Sequence, residues 1–178
     1  YEGMDMSRIN RVQAALLTDT NREKKQGKLA EIAVGADVLI GVSVPGAFTP
    51  EIIQKMRPDP VVLSLCNPVP EISYAAAKAA GAKVVGTGRS DTPNQLNIVL
   101  VFPGLFRGAI DVRAREINDE MKLAAAYAIA DLIPDDELRE DYVIPDVFNP
   151  RTARAVAAAV AKAAIKSGAA RTGMPVYS

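Results

Sequence analysis

Histidine is absent from all 178 residues, which removes the side chain most often used for proton transfer near neutral pH and the commonest transition-metal ligand. Any acid–base chemistry must therefore come from Lys, Tyr, Asp or Glu, or from outside the chain. The single cysteine, Cys66, excludes an internal disulfide, reads as a small apolar residue rather than a nucleophile, and fits a reducing cytoplasm. No apolar run approaches the roughly 18 to 20 residues needed to cross a bilayer, and the first residues lack the basic-then-apolar order of a signal peptide. A cytoplasmic protein with no membrane partner is expected. Charge of one sign is missing too: Lys plus Arg total 21 and Asp plus Glu total 21, so no net field draws the chain to nucleic acid. No G-x-G-x-x-G occurs, so the phosphate-binding turn of dinucleotide folds is not here. Nor does any set of Asp and Glu show metal-ligand spacing; Asp135-Asp136-Glu137 reads as a solvated acidic turn or a helix start.

What is present suits one domain with a substantial core, since 49% of the residues are hydrophobic. Tyr1-Glu2-Gly3 has no initiator Met and reads as the start of a fragment. Ile9, Val12 and Leu16 recur at helical spacing within an expected helix from Ser7 to Leu17. Three helix-and-strand units come next. The first runs from Leu29 through the stop at Gly35 into Val38-Leu39-Ile40-Gly41-Val42, a run without alternation that suits a strand covered on both faces. The second opens with Thr49 as cap and Pro50 at the first helical position and enters Val61 to Cys66. The third begins near Ser73, ends at Gly81, and enters Lys83 to Thr87. Strands separated by crossover helices pair in parallel, so the fold class expected is α/β, a partial doubly wound sheet lacking its first strands, with helices closing the C-terminus. Leu96 to Phe106 reads as a kinked buried helix or a strand and turn, the helix being preferred. Further helices are expected from Asn118 to Ile133 and from Arg151 to Lys166. The domain is drawn over 1–168, with 169–178 as a mobile tail.

In an open parallel sheet, ligands bind beyond the carboxyl ends of the strands. That rule points to Gly41 through Gly46, to Asn67-Pro68-Val69-Pro70, and to Thr87 through Ser90. Glycines let a ligand approach backbone, and Asn67 offers donor and acceptor on a short side chain. A simple turn at Asn67-Pro68 explains the same residues equally well. Asn94 and Asn97 can each be helix caps, and Arg89 with Asp91 a surface ion pair.

Several segments, in order, resemble the C-terminal half of bacterial malic enzymes: Gly35 to Ser43, Leu65-Cys66-Asn67-Pro68-Val69-Pro70-Glu71-Ile72, Thr87 to Asp91 with Pro93-Asn94-Gln95, and Phe102-Pro103-Gly104-Leu105-Phe106-Arg107-Gly108-Ala109. The likeness continues through Glu116-Ile117-Asn118 and Met121-Lys122. It implies oxidation of L-malate with NAD or NADP and decarboxylation to pyruvate, with Mg2+ or Mn2+ bound by a preceding half that also holds the family's catalytic Tyr and Lys. No position here matches those groups, so no catalytic or metal residue is assigned and the chain alone is expected to be inactive. The resemblance places Asn67 beside the nicotinamide ribose and malate, Gly41, Val42 and Ser43 along the cofactor, and Asn97 near the malate carboxylate. It departs at Asn97-Ile98, where family members usually carry two asparagines. A homo-oligomer, a dimer by family precedent, is expected of the parent. A malolactic outcome and a non-catalytic binding or assembly module remain as alternatives.

Overall fold

The computed structural model describes residues 10–173. Three strands form a parallel sheet in chain order: β1 (Val38–Gly41), β2 (Val61–Ser64) and β3 (Val84–Thr87). Their register aligns Leu39 with Val62 and Val85, and Gly41 with Ser64 and Thr87. Helix α3 (Pro50–Gln54) crosses from β1 to β2, and α4 (Tyr74–Ala79) from β2 to β3. Because the strand order never reverses, crossovers of one hand must all fall on one face. The core agrees: Leu39, Val62 and Val85 pack with Ile52, Ile53, Met56, Ala77 and Ala80. The short α2 (Leu29–Ile32) leads into this layer, and Ala33 is buried in it.

The other face differs from expectation. Val38 is 50% and Ile40 60% exposed, so the apolar run of β1 is covered on one face rather than two. The run lacks alternation, as a doubly covered strand would, but no described element covers its second side. The helix expected from Ser7 is described as α1 (Arg11–Asp19), residues 7–9 lying outside the described range. Its Val12 and Leu16, read as part of one apolar helix face, are exposed.

After β3 the chain loops back so that Gln95 forms a single parallel bridge to Thr87. A short 3-10 turn, Ile98–Leu100, then leads into α5 (Phe102–Asp111). Pro103 lies in the first turn of α5, where a missing N–H is harmless, so it starts the helix instead of kinking one. Helix α6 (Asp119–Ala130) is capped by Asn118, whose Oδ1 accepts the Met121 N–H at 3.1 Å. Helix α7 (Thr152–Lys166) is the longest. These three helices share a second core built on Leu105, Ala109, Met121, Ala125, Val156 and Val160. Gly104 and Gly108 make this packing close. A Cβ on Gly104 would lie 2.6 Å from the Ala153 carbonyl oxygen, and one on Gly108 would strike the Ala157 carbonyl oxygen. The advancing pairs, 104 with 153 and 108 with 157, make α5 and α7 parallel.

Asn94 joins the two halves. It is buried at φ 53°, and its Nδ2 donates to the carbonyls of Val85 on β3 (3.1 Å) and Glu140 (2.8 Å), while its Oδ1 accepts the Val143 N–H (2.9 Å). The Lys78–Glu140 ion pair adds a surface contact from α4. Residues 169–172, expected to belong to a mobile tail, hydrogen-bond to the end of α5 and the residues after it: Arg115 N–H donates to the Ala169 carbonyl, and the Arg171 and Thr172 N–H groups donate to the Val112 carbonyl. Among the described residues no helix is long and apolar enough to cross a membrane.

Candidate functional site

The row Gly41, Ser64, Thr87 and Gln95 sets the geometry of the carboxyl rim. All four segments run in the same direction, so the chain beyond each residue of the row leaves the sheet on the same side. That side collects Val42 and Ser43 after β1, Asn67 after β2, Gly88 after β3, and Asn97 after the Gln95 bridge. The predicted site residues from four separate stretches of chain are therefore brought to one rim, where a parallel sheet presents ligand-binding loops.

The rim is organised by a carboxylate for which no role was predicted. Glu71 is 1% exposed. Its Oε1 accepts the Ser43 N–H at 2.8 Å, and its Oε2 accepts the Ser64 hydroxyl at 2.9 Å and the Cys66 N–H at 3.1 Å. The Ser64 Oγ in turn accepts the Ile72 N–H at 3.1 Å. Burial pushes the Glu71 carboxyl up, but the bonds from the Ser43 and Cys66 amides and the Ser64 hydroxyl outweigh it and hold the group below its ordinary range. A charged acceptor with its lone pairs met by donors is stable in such a place. One carboxylate thus ties the loop after β1 to the end of β2.

This explains Gly41. It is buried, and a Cβ there would lie 2.6 Å from Glu71 Cδ and 2.7 Å from Phe48 Cζ. Its missing side chain makes room for the carboxylate, a structural role distinct from the cofactor approach expected of it. Val42, in contrast, is 81% exposed, and Ser43 is exposed with its amide already given to Glu71. The signal for Glu71 was an acidic residue set directly before the buried Ile72 in a proline-rich turn, where a solvated glutamate has little reason to sit.

Asn67 is exposed and is joined to Pro68 by a cis peptide bond. Its amide lies over Gly88: a Cβ on Gly88 would stand 2.8 Å from Oδ1 and 3.0 Å from Nδ2. Nδ2 donates weakly to the Leu65 carbonyl at 3.4 Å. Both a turn and an exposed amide are therefore realised in the same residue. Asn97 is half-buried and caps the 3-10 turn, with Oδ1 accepting the Val99 N–H at 3.0 Å. Among the described residues its Nδ2 has no acceptor. Asn94 caps nothing; its amide is fully used in joining β3 to the 140–143 segment. Arg89 and Asp91 form a two-pronged exposed ion pair (2.8 and 2.6 Å), in which each partner's hydrogen bond raises Arg89 and lowers Asp91 from their ordinary values. Thr87 is buried, its hydroxyl 2.9 Å from that of Thr92 and accepting the Arg89 N–H at 3.1 Å.

Such a rim can bind and orient. It offers the exposed amide of Asn67 and the exposed apolar side chain of Val42. Among the described residues there is no group of three His, Cys, Asp or Glu able to hold a metal. The Mg2+ or Mn2+ that the family resemblance implies does not fit the described residues.

Residues 3–165 match the family model described as malic enzyme, NAD binding domain. The chain belongs to the malic enzyme family. It is 56% identical over 171 residues to the bifunctional malic/malolactic enzyme of Bacillus subtilis, covering 96% of this chain and 42% of that protein. It is 53% identical over 152 residues to the NAD-dependent malic enzyme of Geobacillus stearothermophilus, covering 85% of this chain and 32% of that one. Against the NADP-dependent malic enzyme of Haemophilus influenzae the identity is 47%, over 80% of this chain and 21% of that protein. The chain therefore spans less than half the length of these malic enzymes. The crystal structure of malic enzyme from Pyrococcus horikoshii superposes with a TM-score of 0.90 at 47% identity, covering 96% of this chain and 40% of that one. The three-stranded parallel sheet with its helices is thus a partial Rossmann-like fold of malic-enzyme type.

Proposed function

We propose that this chain forms the nicotinamide-facing wall of an NAD- or NADP-dependent malic enzyme that oxidises L-malate and decarboxylates the product to pyruvate. The observation that carries the reading is the shared rim: Ser43, Asn67 and Asn97 come after register-aligned residues of neighbouring parallel segments in a chain of this family. Bound nicotinamide supplies the hydride acceptor. The residues here bind and orient. Exposed Val42 meets an apolar ring face, Asn67 bonds a ribose hydroxyl or malate oxygen through its exposed amide, and Asn97 Nδ2 donates to a malate carboxylate. Glu71 holds Ser43 and Cys66 in place, and Gly88 lets the Asn67 amide lie flat against the backbone. No proton transfer is assigned to this chain, and the divalent metal belongs with residues outside it.

The chain alone binds cofactor without turning malate over. Calorimetric titration of the 178-residue chain with NADH and NADPH measures the first. The Asn67→Ala variant, losing one net hydrogen bond worth about 0.5 to 1.5 kcal/mol, is expected to weaken affinity by roughly 2- to 12-fold. Absence of affinity for either nucleotide in a folded sample sinks the reading. Malate-dependent reduction of NAD or NADP with Mn2+ present tests the second, and robust turnover by the chain alone contradicts it. In a polypeptide as long as the relatives, the product separates the outcomes: pyruvate for the malic reaction, lactate for the malolactic one that the Bacillus subtilis protein's name includes.

A further inference from the structure

Beyond the C-terminal end of α5 lies a hollow of about 570 Å³ with a mixed lining. Its lining combines the apolar Phe106 and Ile110 of α5, both exposed, and Ile117 with three arginines, Arg113, Arg115 and Arg171. Backbone hydrogen bonds bring them together from distant parts of the sequence. The Arg171 N–H donates to the Val112 carbonyl at 2.9 Å and the Arg115 N–H to the Ala169 carbonyl at 3.0 Å, so 169–172 and 112–115 lie side by side. Arg113 adopts φ 50°, a left-handed conformation that an L residue rarely takes and that the surrounding bonds must enforce.

The charge of this hollow is uncompensated within the described chain. Arg89, Arg107 and Arg139 each have a carboxylate partner. None of Arg113, Arg115 and Arg171 makes an ion pair with a described residue, and the lining holds one acid, Glu116. A net charge of about +2, from three Arg against one Glu, thus collects at one place on a chain whose total is zero. Guanidinium forks match the oxygens of phosphate in shape and in donor number. A phosphate has three terminal oxygens for three forks, where a carboxylate has two.

We propose that this hollow binds an organic phosphate, the phosphate held by Arg113, Arg115 and Arg171 and an apolar or aromatic group resting on Phe106, Ile110 and Ile117. The site is built from residues that the nicotinamide reading does not use, so each stands or falls separately. Titration of the 178-residue chain with phenyl phosphate, followed by amide chemical shifts, tests it. Binding is expected with shifts confined to 106–117 and 169–172, several-fold tighter than inorganic phosphate or succinate. Arg113→Gln and Arg115→Gln should each weaken it about tenfold with unchanged circular dichroism, and raising salt from roughly 50 to 200 mM should weaken it further, since phosphate contacts are screened. Asn67→Ala should leave it unchanged. Lack of saturable binding by the unaltered chain overturns the proposal. So do shifts centred elsewhere, equal affinity for phenyl phosphate, inorganic phosphate and succinate, or full affinity in a folded arginine variant.

Discussion

Replacing Glu71 by Gln removes one charge and almost no volume, and the hydrogen bonds set the magnitude. If the Gln oxygen takes the place of Oε2, it still accepts from Ser64 and Cys66, but its NH2 then faces the Ser43 N–H, donor against donor. If it takes the place of Oε1, the NH2 faces the Cys66 N–H and a Ser64 oxygen that already accepts from Ile72. Either orientation leaves at least one buried donor unmet, at about 1 to 3 kcal/mol, and weakens the remaining charge-assisted bonds to neutral ones. The expected loss is roughly 2 to 3 kcal/mol, which for a chain of this size lowers Tm by about 4 to 12 °C. Urea and thermal unfolding followed by circular dichroism at pH 7 measure it. The pH dependence supplies a second check. The folded Glu71 carboxyl lies below its ordinary value of 4.5, so its contribution is complete above that pH and disappears as pH falls through the lowered folded value. The gap between the natural chain and Glu71→Gln should therefore be full at pH 7 and shrink below about pH 4.5. A Gln variant within about 0.5 kcal/mol of the natural chain at pH 7, or a gap independent of pH, refutes the reasoning.

Gly108→Ala should destabilise by about 1 to 3 kcal/mol in urea, even though alanine is the better helix former by about 1 kcal/mol, because the new Cβ meets the Ala157 carbonyl on α7; a stabilised variant contradicts the close crossing. Asn94→Ala removes one buried and two partly buried hydrogen bonds and places alanine at positive φ, so a loss of about 2 to 4 kcal/mol is expected. Hydrogen exchange should locate it, with the Val143 amide losing protection first, and unchanged protection there means that Asn94 does not anchor the 140–143 segment. Ile98→Asn, at an exposed position of the 3-10 turn, should change stability by less than about 0.5 kcal/mol; a larger loss means that Ile98 packs as the described chain does not show.

Much of the architecture was legible because helix and strand alternate with plain punctuation. Thr49-Pro50, Ser73 and Asn118 mark helix starts, and Gly35, Gly81 and Gly168 stand after helix ends at positive φ. The exposed second face of β1 was not legible, since periodicity reports how apolar a strand is and not which neighbours this chain provides. Pro103 misled by suggesting interruption, when a proline in the first turn begins a helix. At the rim, strand ends pointed to Ser43 and Asn67 by topology, whereas Asn97 was named only through the family resemblance. Asn94 and Glu71 were hidden for one reason: a polar residue in a loop looks solvated until the donors and acceptors from distant segments are seen around it. Gly41 showed the converse, a glycine whose reason is a neighbouring carboxylate 30 positions later in the chain.

The claim beneath the functional reading is that the row-end loops share one nicotinamide crevice. An amide chemical-shift titration of the 178-residue chain with NADH examines it residue by residue. Concerted shifts at Ser43, Asn67, Gly88 and Asn97, saturating with a single affinity, are the predicted result. Saturating shifts that touch the three-helix unit and leave Ser43 and Asn67 unmoved contradict it.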